Sequence, residues 1–462
     1  MSSIVKPPAT GVRQSALLWV SLGTVTTLAI YVVPLATILA TSQDLDADAG
    51  AQAWILSAMS IGLAAALLAA GALGDAHGTR RVYAAGLVTL GAGAAACAAA
   101  QEGIVLVVGR IVQGVGGAAV LACGLAILAQ AYPGAARTRA MAWWGASVSI
   151  GIAAGALLTA FVDVDGGWRI SHVVTGVLAL ALVVPSMRSF PDPRSARSGA
   201  RIGLPGVALL VVAMAGIVAT MTQARERVDA TAVALGAISL AALVGLVLVE
   251  RRSGSPLVGP ELMRSPRFLA ATVGSFAVGI GITGMASFAP VMAQAALGAD
   301  LRGAAVPVLA WTGVSIVAAL VLGRLPWSLG GSMPIGVLLV GVAAAQALAI
   351  GVDGGSSLWR LTLPFAIAGL ATGALNGLLG REAVASVPAD RAATGSGASS
   401  TARYLGAAIG ITLFVTIATH VGDDVGEGWA VASAVSASLT AGGGALVLIL
   451  GWIGTRTAVP SR

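Results

Sequence analysis

Charge is scarce in this chain. Of its 462 residues only 10% are Asp, Glu, Lys or Arg, while 57% are hydrophobic and the mean hydropathy is +0.93. A soluble domain carries about 25% charged residues. A chain this poor in charge cannot cover a globule with polar surface, so its solvent is lipid. Cysteine is nearly missing too. Cys97 and Cys123 both lie inside apolar stretches, where they read as small core residues, and their number and spacing exclude a disulfide framework or a thiolate metal site. Three histidines, His77, His172 and His420, are too scattered to hold a metal. No metal and no other cofactor is expected. Acids are scarcest where they would matter most: no Asp or Glu lies deep in an apolar run, and Glu102, Glu250 and Glu382 sit near run ends. Lysine occurs once, at Lys6, amid Gly-, Ala- and Arg-rich usage, a composition that points to a GC-rich genome such as that of an actinobacterium.

What is present is apolar sequence, in long pieces. A span of the hydrocarbon core needs about 20 apolar residues. Fourteen runs qualify, near 16–40, 52–73, 82–101, 104–130, 140–162, 170–187, 203–223, 230–249, 268–292, 304–325, 333–352, 360–380, 401–419 and 430–454. Backbone groups in lipid must be satisfied within a segment, which makes each run a helix. Most of the 62 glycines fall inside these runs, where small residues let helices approach closely. The first run is longer than a signal peptide's apolar region of about 7–15 residues and lacks a convincing cleavage site, so it is expected to be a retained helix.

Basic residues concentrate in cytoplasmic loops of membrane proteins. With the N-terminus inside, the inner loops hold twenty: Lys6, Arg13, Arg80, Arg81, Arg137, Arg139, Arg188, Arg194, Arg197, Arg201, Arg251, Arg252, Arg264, Arg267, Arg324, Arg381, Arg391, Arg403, Arg456 and Arg462. The outer loops hold five: Arg169, Arg225, Arg227, Arg302 and Arg360. Arg110 is left as the single basic residue well inside a run. Acids lean the other way, with Asp44, Asp46, Asp48, Asp163, Asp165, Asp423, Asp424 and Glu427 all outside. One missed or false helix would scramble this alternation. It therefore supports an even number of spans, with both termini cytoplasmic. It also accounts for the net charge of +7 through contacts with anionic lipid heads, without nucleic acid.

The longest inner linkers, near 188–202 and 251–267, bracket two helices, 203–249. The expected architecture is an all-α polytopic membrane protein with fourteen transmembrane helices. Residues 1–190 would form one six-helix bundle, residues 191–265 a linker with two extra spans, and residues 266–462 a second six-helix bundle. Paired halves of this kind place a ligand site at their interface near the midplane and alternate access by rocking.

Several motifs carry a family resemblance. After the second run stands Gly71-Ala-Leu73-Gly-Asp75-Ala-His-Gly78-Thr-Arg80-Arg81, which resembles the G-x-L-x-D-x-x-G-x-R-R signature of major facilitator transporters. The glycines permit a tight turn and close packing, and Asp75 can meet a helix N-terminus or an Arg across the bundle, latching an inner gate. A plain basic loop is the alternative. The fourth run holds Gly109-Arg110-Ile-Val-Gln113-Gly114-Val-Gly116-Gly117-Ala118, similar to the family's R-x-x-Q-G motif. A charge in the hydrocarbon is a functional hypothesis by default, and the resemblance links Arg110 to proton transfer or to packing of the N-terminal bundle. The alternative is an Arg satisfied by helix carbonyls and Gln113. In the fifth run Gly151 and Gly155 match the antiporter signature G-x-x-x-G-P-x-x-G-G, while its Pro and closing Gly pair are replaced by Ala156, Thr159 and Ala160. Gly167-Trp168-Arg169 fits the start of the sixth helix of that branch. Val387-Pro388-Ala-Asp390-Arg391-Ala-Ala-Thr-Gly395-Ser-Gly397, followed by Thr401, Arg403, Gly406 and Gly410, looks like the fourteen-helix drug:proton antiporter subfamily.

The resemblance covers nearly the whole chain and is best over helices 1–6 and 12–13. It implies a secondary transporter of the bacterial cytoplasmic membrane, a multidrug-efflux or antibiotic-resistance antiporter exchanging protons for a lipophilic small molecule and working as a monomer. Two departures stand against it. Val25 and Ile30 occupy the acidic and Asn positions that usually precede the first-helix Pro, here Pro34, and Trp327 replaces Asp in the second-half copy of the gate loop, Gly323-Arg324-Leu325-Pro326-Trp327. The titratable groups left for coupling are Asp75, Glu102, Glu382 and His172.

Polar or aromatic residues within the runs are the candidates for a substrate cavity: Thr27, Tyr31, Trp54, Ser57, Arg110, Gln113, Met285, Phe288, Trp311, Gln346 and Asn376. Apolar walls with a few polar points suit hydrophobic or amphiphilic ligands. Without an embedded acid, neutral or weakly anionic ligands fit better than strong cations, and Arg110 could help with the weakly anionic ones. Singly, a Trp or Met can equally face lipid or core, and Asn376 and Gln346 can bond between helices. A lipid or lipid-linked metabolite carrier, a facilitator or a nutrient importer on the same scaffold stays open. A membrane enzyme would need acids or metal ligands clustered at one face, and a channel a polar repeated pore. Neither pattern is seen.

Overall fold

The computed structural model of the protein describes residues 10–161, 167–191, 203–253, 259–322, 331–421 and 425–457. All regular structure among them is helical. In chain order the helices are α1 (Thr10–Asp44), α2 (Ala49–His77), α3 (Thr79–Ala98), α4 (Gly103–Ala131), α5 (Gly134–Phe161), α6 (Gly167–Ala181), the short α7 (Val183–Ser189), α8 (Leu204–Glu226), α9 (Ala230–Arg252), the single turn α10 (Pro260–Met263), α11 (Pro266–Ala277), α12 (Gly284–Ala295), α13 (Leu301–Leu322), α14 (Met333–Ala347), α15 (Leu358–Ala385), α16 (Ala392–His420) and α17 (Val425–Thr457). A π-helical segment, Val278–Thr283, joins α11 to α12 in one span. Thirteen stretches are long and apolar enough to cross a membrane, and α14 is a shorter apolar fourteenth. The protein is a multi-pass membrane protein. Its fourteen spans follow the apolar runs of the sequence. The second-half gate loop, 323–327, and most of the linker near 188–202 lie outside the described residues.

Local chemistry sets the helix ends. Asp48 caps α2 by accepting from Ala51 N–H at 2.8 Å, and Asp229 caps α9 through Ala232 N–H at 2.9 Å. Between α2 and α3 the chain turns on Gly78 alone, at φ +101°, a conformation that disfavours any side chain. Inside the spans, several hydroxyls are satisfied on their own helix: Thr24, Thr27, Thr372 and Thr440 each donate to the carbonyl four residues back, at 2.7–3.0 Å.

Small residues bring the spans together. Where α2 crosses α4, a Cβ on Gly114 would stand 2.3 Å from the Met59 carbonyl oxygen, and one on Gly62 would stand 2.2 Å from that of Ile111. The same relation recurs between α13 and α15, where Gly373 abuts the Ser315 carbonyl. Indeed the last six spans repeat the pairings of the first six: α2 with α4 and α13 with α15, α3 with α6 and α14 with α17, α1 with α5 and α11 with α16. The two sets then meet along two seams, α2 against α16 and α5 against α13 and α15. Ser149 and Ser315 hydroxyls bond across the second seam at 3.0 Å.

The hairpin α8–α9 covers the first seam. Leu210, Ala213, Met214 and Val218 of α8 form a buried cluster with Ile61, Ala64 and Leu68 of α2, and Leu405 and Ala408 of α16 pack on it. The Trp54 indole N–H donates to Gln223 Oε1 at 3.3 Å, whose amide in turn donates to Asp229 at 3.1 Å. Trp54 therefore serves the hairpin contact. Most of α9 is exposed, with Val233, Ile238, Leu240 and Val244 presented outward as a lipid-facing helix requires.

Replacing Gly114 by Val is expected to force α2 and α4 apart at a cost of about 1–3 kcal/mol. Thermal unfolding in detergent, followed by tryptophan fluorescence, should show a midpoint several degrees lower, while Gly103→Ala, at a position with open space around it, leaves it unchanged. An unshifted Gly114→Val midpoint would remove the backbone crossing as the packing determinant.

Candidate functional site

The 71–81 segment, the end of α2 and the start of α3 joined at Gly78, meets the start of α16 at the end of the molecule that carries the loops richest in arginine, the basic face. Gly71 allows the approach: a Cβ there would lie 2.3 Å from the Ala393 carbonyl oxygen, and one on Gly397 would lie 2.5 Å from that of Leu67. The approach brings Asp75 to the first turn of α16. Ala393 N–H donates to Asp75 Oδ1 at 3.0 Å, and Thr394 N–H donates to Oδ2 at 2.7 Å. Both donors are amides that a helix leaves unsatisfied at its N-terminus, where the macrodipole also favours an anion. One carboxylate thus ties α2 to α16 at the basic face, where Val384, Ala392 and Ala393 also pack in one buried cluster with Met141 and Trp144. Arg80 is partly buried and Arg81 is exposed beside it.

Arg110 is 1% exposed. Pro34 has no N–H, so the carbonyl of Ile30 loses its helix partner. Arg110 Nη1 supplies a donor to it at 3.1 Å. The same guanidinium donates to Ile55 O at 3.2 Å, Tyr31 O at 3.4 Å and Gln113 Oε1 at 3.5 Å. Gln113 Nε2 lies 3.3 Å from His172 Nδ1. Arg110 thus pins α4 to α1 and α2, and no carboxylate is among its partners in the described residues. The geometry matches the carbonyl-satisfied alternative.

Between the two sets of spans, close behind the Asp75 contact, lies a cavity of about 400 Å³. It is lined by Leu28, Leu121, Leu125, Trp144, Val148 and Gly380 together with Ser399, Ser400, Arg403 and Tyr404. Arg403 corrects the sequence reading. It was expected in an inner loop, with Arg110 as the single basic residue within a span. The helix instead begins at Ala392, which carries Arg403 about three turns in. The polar stretch Thr394–Thr401 hid this, because hydroxyl side chains, such as that of Ser399 bonded to Ser275 across the helix, look like loop residues to a hydropathy count. Arg403 Nη1 donates to Asn376 Oδ1 at 2.7 Å, and Tyr404 meets Tyr31 edge-on at 6.0 Å between centroids.

The other candidates scatter. Met285, Trp311 and Gln346 line a separate apolar pocket of about 360 Å³ among α12–α15. Phe288 stacks on Trp429 inside the second set of spans. Thr27 is fully buried with its hydroxyl turned onto Gly23 O. Ser57 is half-buried on α2, one helix turn from Ser60, whose hydroxyl bonds that of Tyr31 at 3.1 Å. Gly151 and Gly155 seat α5 against α1, where a Cβ would fall 2.9 Å from Val25 O and 2.6 Å from Ala29 O respectively. Glu382, taken as a helix-end residue, is 1% exposed and paired with Arg267 at 2.8 Å. At the opposite face Asp44 accepts from Arg169 and Trp168, and the Arg169 hydrogen bond holds its carboxyl below the usual carboxylate range. No cluster of metal-ligating side chains occurs among the described residues.

The family model for the Major Facilitator Superfamily matches residues 18–411. The chain belongs to the major facilitator superfamily. It is a transporter and not an enzyme. Its relatives are drug and antibiotic efflux proteins of the fourteen-span type. A probable actinorhodin transporter of Streptomyces coelicolor is 29% identical, over 79% of this chain and 65% of that protein, so the chain spans just under two thirds of that relative's length. The tetracenomycin C resistance and export protein of Streptomyces glaucescens is 27% identical over 94% and 81%. The multidrug efflux pump LfrA of Mycolicibacterium smegmatis is 26% identical over 91% and 84%. Among solved structures, the human organic anion transporter MFSD10 superposes with a TM-score of 0.69 over 96% of this chain and all of that one at 16% identity. The proton:xylose symporter XylE gives 0.68 over 96% of both chains at 15% identity. These two show the major facilitator fold.

On this scaffold the Asp75 contact can be tested through a native reporter. Cys123 is fully buried against Gly74. Asp75→Asn removes the charge and one acceptor oxygen, a loss of about 0.3–2 kcal/mol, which populates the open basic face about 2- to 30-fold more. In a Cys97→Ser background, maleimide labelling of Cys123 should accelerate by that factor. Unchanged labelling would show that the carboxylate does not hold the face shut.

Proposed function

We propose that this transporter exports lipophilic small molecules across a bacterial cytoplasmic membrane by alternating access, in exchange for protons. In this reading the basic face and both termini are cytoplasmic, and the chain works as a monomer. The observation that carries it is the Asp75 carboxylate on the amide end of α16. That contact joins the two sets of spans, closes one face, and can open without breaking any helix. The cavity behind it has mainly apolar walls with a few polar points, the lining that small-molecule sites share. Relatives named for export of, or resistance to, antibiotics support the direction.

Asp75 is also the group best placed to couple protons to the gate. Protonation neutralises it and cancels the charge–dipole part of the contact, so a proton bound there favours the open basic face. Arg110 contributes by holding α1, α2 and α4 as one body. A second reading, gradient-independent facilitation of a lipid-like ligand, draws on one observation: no carboxylate lines the cavity among the described residues. The hairpin over the α2–α16 seam weighs against a lateral lipid path on that side.

Transport of a lipophilic dye in proteoliposomes with an imposed pH gradient separates the two. Wild type should accumulate dye with the gradient. Asp75→Asn should carry it without gradient dependence. Arg110→Ala should lose transport together with thermal stability, because the Ile30 and Ile55 carbonyls lose their donor in a buried setting. Wild-type movement indifferent to the gradient would leave the facilitator.

A further inference from the structure

We infer that the cavity between the two halves takes an amphiphile with an anionic head, and that Arg403 is the residue that binds that head. The direction of transport rests on the exporter reading above; the ligand chemistry does not.

Arg110 and Arg403 both lie well inside their helices, and their surroundings differ. Arg110 spends its donors on three backbone carbonyls and Gln113 and does not line the cavity. Arg403 lines the cavity wall, and its one acceptor among the described residues is the neutral Oδ1 of Asn376. A guanidinium has five N–H donors, so most of its hydrogen-bonding capacity remains for a ligand. A cation in a low-dielectric site without a counter-ion is costly, and an incoming carboxylate or phenolate supplies one.

The rest of the wall suits the remainder of such a molecule. Leu28, Leu121, Leu125 and Val148 offer apolar surface, and Trp144 an aromatic face. Ser400 adds a polar residue to the same wall. The arginine is also held in place from behind. The π-helical segment Val278–Thr283 packs on α16 so closely that Gly279 has no room for a Cβ against the Arg403 carbonyl. Such segments recur at functional sites because they re-aim neighbouring groups. Asn376 fixes the head of the same side chain. A fixed, single-signed donor facing an otherwise apolar chamber selects by charge at one end of the ligand and by area along the rest.

The test compares pyrenebutyrate with its uncharged carboxamide. Binding is read by fluorescence anisotropy on the full chain in phosphatidylcholine nanodiscs without a gradient. Wild type should bind the carboxylate at least about tenfold more tightly than the amide, in keeping with a charge-assisted hydrogen bond. Arg403→Gln should erase that preference with amide affinity unchanged, and Arg403→Lys should restore most of it. A preference that survives Arg403→Gln, or a loss in both variants that weakens the amide equally, overturns the inference. Repeating the titration in phosphatidylglycerol nanodiscs identifies the source of the head. Weaker probe binding there marks a lipid head as a competitor for the same anion site, and equal binding assigns the site to free amphiphiles. Parallel transport assays keep the two readings apart. Export of the amide but not the carboxylate overturns the anion site and leaves the exporter standing. Charge-selective binding with export of neither probe leaves the anion site standing and removes the exporter.

Discussion

At one face two halves of one chain are joined by a carboxylate set against the open end of a helix. The rest of the gate is arranged so that Asp75 can reach Ala393 and Thr394. Gly71 and Gly397 remove the side chains that would keep α2 and α16 apart, and Gly78 turns the chain sharply enough to begin α3 just past the contact. The contact uses charge and helix polarity, and Ala392 and Ala393 beside it also pack into a buried cluster with Tyr83, Cys123 and Trp144. It can be broken without unwinding a helix of either half.

That independence requires each half to be rigid without the gate. Lipid offers no water to a stray carbonyl or cation, so rigidity and polar satisfaction are the same problem. Pro34 frees a carbonyl in α1, and Arg110 in α4 answers it while also reaching α2. Each defect is harmless only in the presence of the other. The hydroxyls of Thr24, Thr27, Thr372 and Thr440 are settled within their own helices. Arg403 is a half-buried cation whose one acceptor among the described residues is the Asn376 amide, and it faces a cavity.

The spans were legible because hydrophobic length is a direct readout of membrane thickness, and the charge alternation checked their number. The Asp75 contact was legible as a possibility from its glycine spacing, while its partner on α16, more than 300 residues away in sequence, was not. Arg403 was missed because run-finding stops at polar residues, and Thr394–Thr401 is polar yet helical. The cavity candidates show the limit of reading residues one at a time. Trp54, Phe288 and Gln346 are each the right kind of side chain, but they face a hairpin, a core and a different pocket. Which of several similar faces of a helix looks inward is decided by packing between distant segments, and no local pattern records it.

The hairpin α8–α9 leaves the molecule by the same face through which it enters. An inserted pair of spans is therefore neutral to topology: the second six spans keep the orientation they would have had without it. A single inserted helix would have turned them upside down and destroyed the pairing of α2 with α16. Parity thus constrains how a scaffold of this kind can grow. It can accept accessory helices two at a time at the join between its halves, gaining a cover for one seam while the opposing halves remain in register.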